Sequence, residues 1–375
     1  MAALDVKIIA PFFDVTGISQ VARELAIALY DNGIGVRIED LSDFSTFKIE
    51  LIPEEKQKLG IMQQIPLVNP YVCIHMYPPT RYMNKVDKNA KANIFWHLYE
   101  TDRIPYVWRT ILNQDWIDEV WVPSEFNKQT FSKSNVIRDK IKVVNFGVNT
   151  KKYNPSNEKL FNKDPNVFYF SFISELKLCK GYDLLLRAFY EEFANEPKAK
   201  LLFKCSCVND KSVVNQIAEM ISKYKLNSNA EVILLAGTHP EEYMQQLYAT
   251  ADCFVLPTRG EGWGLGIIQS MAAGVPVITS NCSAQKTFCD KNNTLLVDAP
   301  QEKIRIIDWL LHVPIQDSHD WFEPNYPQLR KLMRYAFENK KDIQVKAIQA
   351  RKDVEKLDWN QIVLQVVQAT KRWAQ

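Results

Sequence analysis

The chain has 375 residues, of which 46% are hydrophobic, 11% aromatic and 24% charged, and its formal net charge is +2. At roughly 150 residues per domain this length predicts about two or three domains, and the composition excludes disordered and low-complexity classes. A charge so near zero gives no global field that would draw the protein onto nucleic acid.

The cysteines and the amino terminus indicate the compartment. Seven cysteines without a C-x-x-C spacing indicate reduced, mostly buried thiols rather than a disulfide framework or a metal site. The first residues, MAALDVKIIAPFF, lack the basic and apolar regions of a signal peptide. The uncharged stretch Gly262–Gln285 is long enough to span a bilayer, but its glycines, proline and polar residues favour a buried helix followed by a buried strand. We therefore expect a cytoplasmic protein without a transmembrane segment.

In the first half of the chain, short apolar runs alternate with longer amphipathic segments, which is typical of α/β proteins with parallel sheets. The predicted strands are Lys7–Ala10, Val36–Ile38, Val72–Met76, Ile94–Trp96, Val120–Pro123 and Ile141–Asn145. Between the first two, apolar residues at helical spacing from Ile18 to Leu29 predict an amphipathic helix that ends before Gly33.

A polar stretch at Asn149–Asn162, interrupted by Pro155, is the predicted domain boundary. A second α/β series follows, with strands at Phe168–Ile173, Leu201–Lys204, Val232–Leu235, Cys253–Pro257 and Val275–Thr279. Its predicted helices are Tyr182–Phe193, Val213–Tyr224, Glu241–Ala249 and Ile267–Ala273, and the tail Ala347–Trp373 is predicted to be helical.

This pattern predicts two Rossmann-like, doubly wound domains that face each other across a cleft. We place the first at residues 1–152 and the second at residues 153–355, with residues 356–375 forming a helix that packs back on the first domain. In such folds a ligand binds outside the carboxyl ends of the strands.

The most informative segment is TRGEGWGLGIIQSMAAGVPVIT, Thr258 to Thr279, which follows a predicted buried strand and opens a helix. Glycines let the backbone approach a ligand, and a helix amino terminus offers N–H groups to an anion. Glu261 at the loop tip is a poor ligand for phosphate but a good acceptor for sugar hydroxyls. The alternative is a turn whose glycines have structural roles only.

This segment resembles the signature of the family-4 glycosyltransferases (glycosyl transferases group 1), retaining enzymes with the GT-B fold. Further matches occur at HLYETDRIPYVW (His97–Trp108), DEVWVPSEFNKQTF (Asp118–Phe131), VVNFGVNTKKYNP (Val143–Pro155), KGYDLLLRAF (Lys180–Phe189) and LYATADCFVLPTRGEGWGLG (Leu247–Gly266). The resemblance implies a hexosyltransferase, with a mannosyltransferase among the options. It would transfer a sugar from a GDP- or UDP-linked donor to a hydroxyl of a glycan or a lipid-linked acceptor.

The resemblance also implies roles for individual residues. Glu261 would hold the sugar hydroxyls, Lys180 the donor diphosphate, and His97 would face the donor sugar; Gly17, just before the first helix, would bring backbone N–H groups toward the phosphates. The other donor-binding residues implied are Glu175, Lys177, Gly262, Trp263, Gly264, Leu265, Gly266 and Gln269. The first domain would bind the acceptor, with ring-bearing loops at Met76–Tyr82 and Tyr99–Trp108, and His75 is expected to be structural.

Four positions depart from the family pattern. Gln269 stands where a second glutamate is usual, Gly266 replaces a proline, and Thr16 replaces one of two adjacent glycines. The fourth departure replaces a usual cation by Glu175, whose carboxylate would repel a diphosphate. Lys177 either supplies the missing cation or pairs with Glu175. These departures leave open an alternative, a weak or inactive homologue that binds a nucleotide sugar or glycan as a partner subunit.

The sequence contains no D-x-D motif, so we expect no metal and no other cofactor. Lys180 and helix amino termini would then neutralise the leaving diphosphate. We expect no nucleic-acid partner, and a lipid-linked acceptor would bring peripheral contact with the cytoplasmic face of a membrane.

Overall fold

The computed structural model of the chain describes residues 4–42, 49–81, 86–206, 211–225, 228–303 and 319–374. The chain divides into two compact units. Unit 1 comprises Met1–Gly147, Val313–His319 and Leu357–Gln375, and unit 2 comprises Val148–His312 and Asp320–Lys356. Tyr82, the end of one predicted ring-bearing loop, lies outside the described residues, as does Cys207.

Unit 1 contains one parallel sheet. Its strands are β1 (Asp5–Ala10), β2 (Val36–Asp40), β3 (Tyr71–His75), β4 (Ala92–Trp96), β5 (Glu119–Val122) and β6 (Ile141–Val143), in the order β2–β1–β3–β4–β5–β6. Its first four helices are α1 (Gly17–Asp31), α2 (Pro53–Met62), α3 (Tyr106–Leu112) and α4 (Glu125–Lys133). The six predicted strands of the first half are confirmed.

The amphipathic helix predicted between the first two strands is α1. Its apolar face is fully buried, with Val21, Leu25 and Leu29 at most 1% exposed. The helix is capped by Asn32, and Gly33 follows in the left-handed region at φ 78°, a conformation that glycine adopts without steric cost.

Unit 2 contains a second parallel sheet with the same doubly wound character. Its strands are β7 (Phe168–Glu175), β8 (Ala199–Ser206), β9 (Glu231–Ala236), β10 (Cys253–Leu256), β11 (Val277–Ser280) and β12 (Leu295–Val297), in the order β12–β11–β10–β7–β8–β9. A short antiparallel pair, β13 (Gln301–Lys303) and β14 (Asp320–Phe322), lies outside this sheet. The helices are α5 (Tyr182–Glu192), α6 (Lys211–Lys225), α7 (Glu241–Thr250), α8 (Leu265–Ala272), α9 (Tyr326–Glu338) and α10 (Lys340–Val354). The predicted α/β class is confirmed.

The tail Ala347–Trp373, predicted to be helical, consists of the end of one helix and a second, separate helix. Helix α10 ends at Val354, a 3-10 turn follows at Glu355–Leu357, and a new helix, α11 (Trp359–Thr370), begins after Asp358. The Asp358 side chain accepts a hydrogen bond from the backbone N–H of Asn360, and an acidic cap of this kind favours a new helix start over continuation of the old one.

Helix α11 packs against α1 within unit 1. The Trp359 indole Nε1 donates to Glu24 Oε2 on α1 at 2.5 Å, and Ile362, Val363 and Val366 are at most 2% exposed. Gly147 leaves no room for a side chain beside Trp359, because a Cβ there would lie 2.5 Å from the indole. The apolar stripe of α11 is therefore covered by unit 1.

The polar stretch predicted as the domain boundary packs on helix α7 of unit 2. Lys152 Nζ lies 2.7 Å from Glu241 Oε1, with both side chains at most 10% exposed. Tyr153 is buried and meets the ring of Tyr248 edge-on at 5.4 Å. Residues of this polar stretch therefore contact α7 and are partly buried against it.

The remaining chain-wide features concern thiols and membranes. The six cysteines within the described ranges are buried and none forms a disulfide. None of the described helices combines the length and the hydropathy that a bilayer span requires. The uncharged stretch Gly262–Gln285 includes helix α8 and strand β11, as its polar residues predict.

Candidate active site

The candidate site of unit 2 lies where its sheet changes direction. From β7 the chain proceeds to β8 and β9 on one side, and then returns to add β10 on the other side of β7. Lys180 follows the carboxyl end of β7, and Glu261 follows the carboxyl end of β10. In open α/β sheets such a switch point is the usual place for a ligand.

A glycine holds the Lys180 turn against the loop that follows β10. Gly181 adopts φ 69°, and a Cβ at this position would lie 1.9 Å from the carbonyl oxygen of Pro257. The Lys180 N–H donates to the Lys177 carbonyl at 2.8 Å, which closes the 3-10 turn before Gly181. Lys180 and Gly181 therefore lie where the turn after β7 comes close to the loop after β10.

The backbone of the Glu261 loop is fixed by hydrogen bonds on both sides. Thr258 Oγ1 donates to the Cys179 carbonyl at 2.8 Å, which joins this loop to the Lys180 turn. The Glu261 N–H donates to Ser283 Oγ at 3.0 Å. Ser283 itself has φ 45°, an uncommon value for a residue other than glycine and one that is frequent at functional sites.

Lys180 and Glu261 are in direct contact. From the sequence, each of them is assigned to a different part of a ligand, and no contact between them is predicted. Lys180 Nζ donates to Glu261 Oε1 at 2.9 Å, and the two residues are 8% and 7% exposed. A buried ion pair of this kind is strongly disfavoured when only one partner is removed. In the structure the charge of Lys180 is therefore neutralised by the carboxylate of Glu261.

Arg259 is the residue of this loop that the sequence analysis did not assign. Its guanidinium contacts Asp183 at 2.8 and 2.9 Å and Glu323 at 2.7 and 3.0 Å, and it also donates to the Leu178 carbonyl at 2.8 Å. Although burial opposes its charge, these two carboxylates raise the pKa of Arg259 above its usual range. It is a positioning residue that joins the Lys180 turn, helix α5 and the segment after β14. The sequence feature that could have indicated this role is the position of Arg259 inside a glycine-rich loop.

Glu175 and Lys177 form a second ion pair at the end of β7. Lys177 Nζ lies 2.7 Å from Glu175 Oε2, and the side chains are 37% and 42% exposed. Of the two alternatives left by the sequence, the structure contains the pairing with Glu175. Because both side chains are solvated, the pair contributes little to stability.

We expect Glu175→Gln and Lys177→Met each to change the dissociation constant for UDP or GDP less than threefold. The physical reason is that a half-exposed ion pair is screened and worth only about 0–1 kcal/mol. Isothermal titration calorimetry at two ionic strengths measures this. A tenfold weaker affinity for Lys177→Met alone would instead identify Lys177 as the replacement for the missing cation.

Helix α8 begins beside the end of β7. Gly264 precedes it at φ 99°, and a Cβ on Gly266 would lie 3.2 Å from the carbonyl oxygen of Ile173. Glycine at the position where the family usually has proline thus permits the first turn of α8 to approach β7. The N–H groups of Ile267 and Ile268 donate to the Gly264 carbonyl oxygen at 3.0 Å, and the amino terminus of the helix is a source of positive potential.

The remaining predicted donor-binding residues of unit 2 lie in or next to α8. Leu265 is the first residue of the helix, and Gln269 on its second turn is 4% exposed. Gly262 and Trp263 are buried in the loop before it. The Trp263 ring is 1% exposed and packs edge-on against Phe288 at 5.2 Å, so its contribution to this loop includes core packing.

His97 follows the carboxyl end of β4 in unit 1. Its Nδ1 lies 2.9 Å from the Leu98 carbonyl oxygen, and burial lowers the pKa of the imidazole to about 4. At neutral pH the ring is therefore uncharged, Nδ1–H donates to this carbonyl, and Nε2 is a hydrogen-bond acceptor. Phe95 stacks on the ring and Trp108 meets it edge-on, with centroids 5.7 and 5.3 Å away.

The other histidine at a strand end has both ring nitrogens engaged. His75 Nδ1 lies 2.6 Å from the Tyr77 hydroxyl, and Nε2 lies 2.9 Å from Asn93 Oδ1. The expected structural role of His75 matches these contacts. His319, which the sequence did not single out, is also buried in unit 1, and its Nδ1 lies 2.9 Å from Thr101 Oγ1.

Gly17 is the first residue of α1, after the loop that follows β1. Thr16, which stands where the family often has a second glycine, is the helix cap: its side chain accepts from the Ser19 N–H at 3.3 Å. This cap satisfies one of the four N–H groups that a helix start leaves open. The N–H groups of Gly17 and Ile18 have no partner within the helix.

Within the described part of the chain, no three His, Cys, Asp or Glu residues are arranged to hold a metal ion. The positive groups at the site include Lys180 and the first turn of α8, and Arg259 and Lys177 lie nearby, each paired with carboxylates. Metal independence remains a prediction.

Sequence comparisons relate this region to known proteins. Residues 167–312 match the family described as Glycosyl transferases group 1. Over 112 residues, or 29% of this chain, the sequence is 30% identical to mannosylfructose-phosphate synthase from Agrobacterium fabrum. Over 189 residues, or 47% of this chain, it is 23% identical to a D-inositol 3-phosphate glycosyltransferase from Streptosporangium roseum. The matched segments span 24% and 42% of these relatives' own lengths, less than half in each case.

Structural comparison extends over nearly the whole chain. The Anabaena protein HepE, crystallised with UDP and glucose, matches 98% of this chain and 99% of its own, with a TM-score of 0.71 and 13% identity. Sucrose-phosphate synthase from Thermosynechococcus elongatus matches 98% of both chains, with a TM-score of 0.64 and 17% identity. The predicted GT-B fold is confirmed.

Proposed function

We propose that this protein, whose residues 167–312 match the family described as Glycosyl transferases group 1, transfers a sugar from a nucleotide-sugar donor to a hydroxyl acceptor with retention of configuration. The observation that carries the proposal is the contact between Lys180 Nζ and Glu261 Oε1, 2.9 Å apart at the switch point of the second sheet. It places a cation suited to a diphosphate next to a carboxylate suited to sugar hydroxyls.

In this proposal the protein acts mainly by positioning and electrostatics. Lys180 and the first turn of α8 stabilise the negative charge that develops on the leaving diphosphate. Glu261 accepts hydrogen bonds from donor-sugar hydroxyls, and Gln269 from the ribose. His97, uncharged at neutral pH because burial lowers its pKa to about 4, offers Nε2 to a sugar hydroxyl.

The chemical step is a substitution at the anomeric carbon. The bond from this carbon to the diphosphate oxygen breaks, and a bond to the acceptor oxygen forms on the same face. The proton of the acceptor hydroxyl passes to the departing phosphate. No residue of this chain is then required as the base.

Donor and acceptor are proposed at the level of chemical class. The donor is GDP- or UDP-linked, and UDP-glucose is the first to test because the structurally similar HepE was crystallised with UDP and glucose. A hexose, with mannose among the options, is proposed for the transferred sugar. The acceptor is a hydroxyl of a glycan or of a lipid-linked sugar, and the latter would place a cytoplasmic protein in peripheral contact with a membrane.

A thermal-shift panel of nucleoside diphosphates and nucleotide sugars tests the proposed donor site. A ligand at a hundredfold excess over its dissociation constant stabilises the native state by about 2.7 kcal/mol, which raises the unfolding midpoint. We expect UDP or GDP to do so, and NMR of the product anomer then tests retention. A panel in which no nucleoside diphosphate raises the midpoint would contradict the proposal.

Donor turnover is expected to persist in excess EDTA, because Lys180 and the amino terminus of α8 supply the positive charge that other enzymes take from a metal ion. Release of nucleoside diphosphate, followed with and without chelator, measures this. Complete loss with EDTA that Mg²⁺ or Mn²⁺ restores would show that the metal-free prediction is wrong.

A further inference from the structure

The two groups assigned to the donor neutralise each other in the protein without ligand. Lys180 Nζ donates to Glu261 Oε1 at 2.9 Å, and both residues are more than nine-tenths buried. The proposed function, on which this inference rests, requires Lys180 to face a diphosphate and Glu261 to face sugar hydroxyls. Donor binding must therefore change a contact that the chain already makes.

The change has to come from the side chains, because both backbones are fixed. The Glu261 N–H donates to Ser283 Oγ at 3.0 Å and its carbonyl accepts from the Ala284 N–H at 3.2 Å. Lys180 precedes Gly181, where a Cβ would collide with the Pro257 carbonyl at 1.9 Å. A shift of either backbone would break these contacts, whereas a rotation of the carboxylate or the ammonium would not.

Two neighbouring cations, Arg259 and Lys177, are bound to other carboxylates. Arg259 contacts Asp183 and Glu323 at 2.7–3.0 Å, and Lys177 contacts Glu175 at 2.7 Å. Of these three cations, Lys180 is the one whose carboxylate partner is assigned to the donor sugar, so a diphosphate that binds Lys180 takes the place of Glu261.

We infer that Glu261 competes with the diphosphate for Lys180 and thereby makes the site select the nucleotide sugar over the free nucleoside diphosphate. When the donor binds, its diphosphate takes Lys180 and its sugar hydroxyls take the displaced carboxylate. When the free diphosphate binds, no sugar is present to hold that carboxylate, and it remains a buried charge next to an anion. Glu261 is thus a specificity residue that also favours release of the nucleotide product.

A calorimetric double-mutant cycle tests this inference, with UDP and GDP as probes. The proteins are wild type, Glu261→Gln, Lys180→Met and the double variant. We expect Glu261→Gln to tighten the affinity for the free diphosphate by about tenfold, the scale of one charge-assisted contact. In the Lys180→Met background the same substitution should change the affinity less than threefold, because there is no cation to release.

A nucleotide sugar supplies the second readout. Glu261→Gln should gain less affinity for UDP-glucose than for UDP, since it loses the carboxylate that the sugar hydroxyls bind. Glu261→Asp, which keeps the charge but withdraws it by one methylene, serves if the glutamine variant does not fold, and should tighten UDP to a smaller extent.

The outcomes separate this inference from the function on which it rests. Unchanged or weaker binding of UDP and GDP by Glu261→Gln, or equal tightening with and without Lys180, would overturn the competition while leaving a donor site in place. If neither diphosphate binds the wild type or the glutamine variant, the proposed function fails, and this inference fails with it.

Discussion

Lys180→Met is expected to lower the rate of donor turnover by about 10²–10³-fold, the effect of removing one preorganised group that stabilises developing negative charge. Lys180 is 8% exposed, and in such surroundings the interaction of its ammonium with a leaving diphosphate is screened far less than at the surface. The measurement is nucleoside-diphosphate release from UDP-glucose and a GDP-linked donor, in a coupled assay.

Lys177→Met is the matched control for this prediction. It removes the same charge three residues away, from a side chain that is 37% exposed and paired with Glu175. Its turnover should stay within threefold of wild type. The double variant Lys180→Met/Glu261→Gln separates stability from chemistry, because it removes the buried carboxylate that the single variant leaves behind. Equal rates for Lys180→Met and wild type would remove Lys180 from the mechanism.

Truncation of the chain after Lys356 is expected to unfold unit 1. It deletes α11, whose side chains Trp359, Ile362, Val363 and Val366 are at most 3% exposed. At about 1.5–3 kcal/mol for each large buried side chain, the loss is roughly 6–12 kcal/mol, which is comparable to the whole stability of a domain. Urea unfolding followed by tryptophan fluorescence measures the effect.

The same truncation removes partners of a buried carboxylate. Glu119 on β5 is fully buried, and it accepts from Trp373 Nε1 at 3.0 Å and pairs with Arg372. A control variant, Leu364→Ser/Val367→Ser, changes the face of α11 that is 61% and 47% exposed, and it should shift the free energy of unfolding by about 0.5 kcal/mol or less. A truncated protein as soluble and as stable as the full chain would contradict this account of α11.

Strands β1 to β11 and helices α1 and α5 to α8 could be predicted because their apolar periodicity reflects burial, whereas α3, α4, α9 and β12 were not predicted. Helix α1 is an example, since the same residues that repeat at helical spacing form its buried face. Helix α2 was missed because only Glu55, Leu59 and Met62 of its ten residues are buried, too few for a clear pattern. Strands β13 and β14, with three residues each, are too short to carry a period.

The sequence indicated individual candidate residues of the site, but not the contacts between them. The glycine-rich segment indicated Glu261, and the family resemblance indicated Lys180, each in relation to a ligand. The two residues are 81 positions apart, and no local pattern shows that they touch. The need for a glycine at position 181 is equally non-local, because it is the carbonyl oxygen of Pro257 that leaves no space for a Cβ there.

A crystal structure with UDP or UDP-glucose tests the central claim most directly. We expect a diphosphate oxygen within about 3 Å of Lys180 Nζ, the β-phosphate near the first turn of α8, and the Lys180–Glu261 contact opened. With UDP-glucose, the Glu261 carboxylate should lie against the sugar hydroxyls. A nucleotide bound elsewhere, with Lys180 and Glu261 still 2.9 Å apart, would contradict the claim that this pair is the donor site.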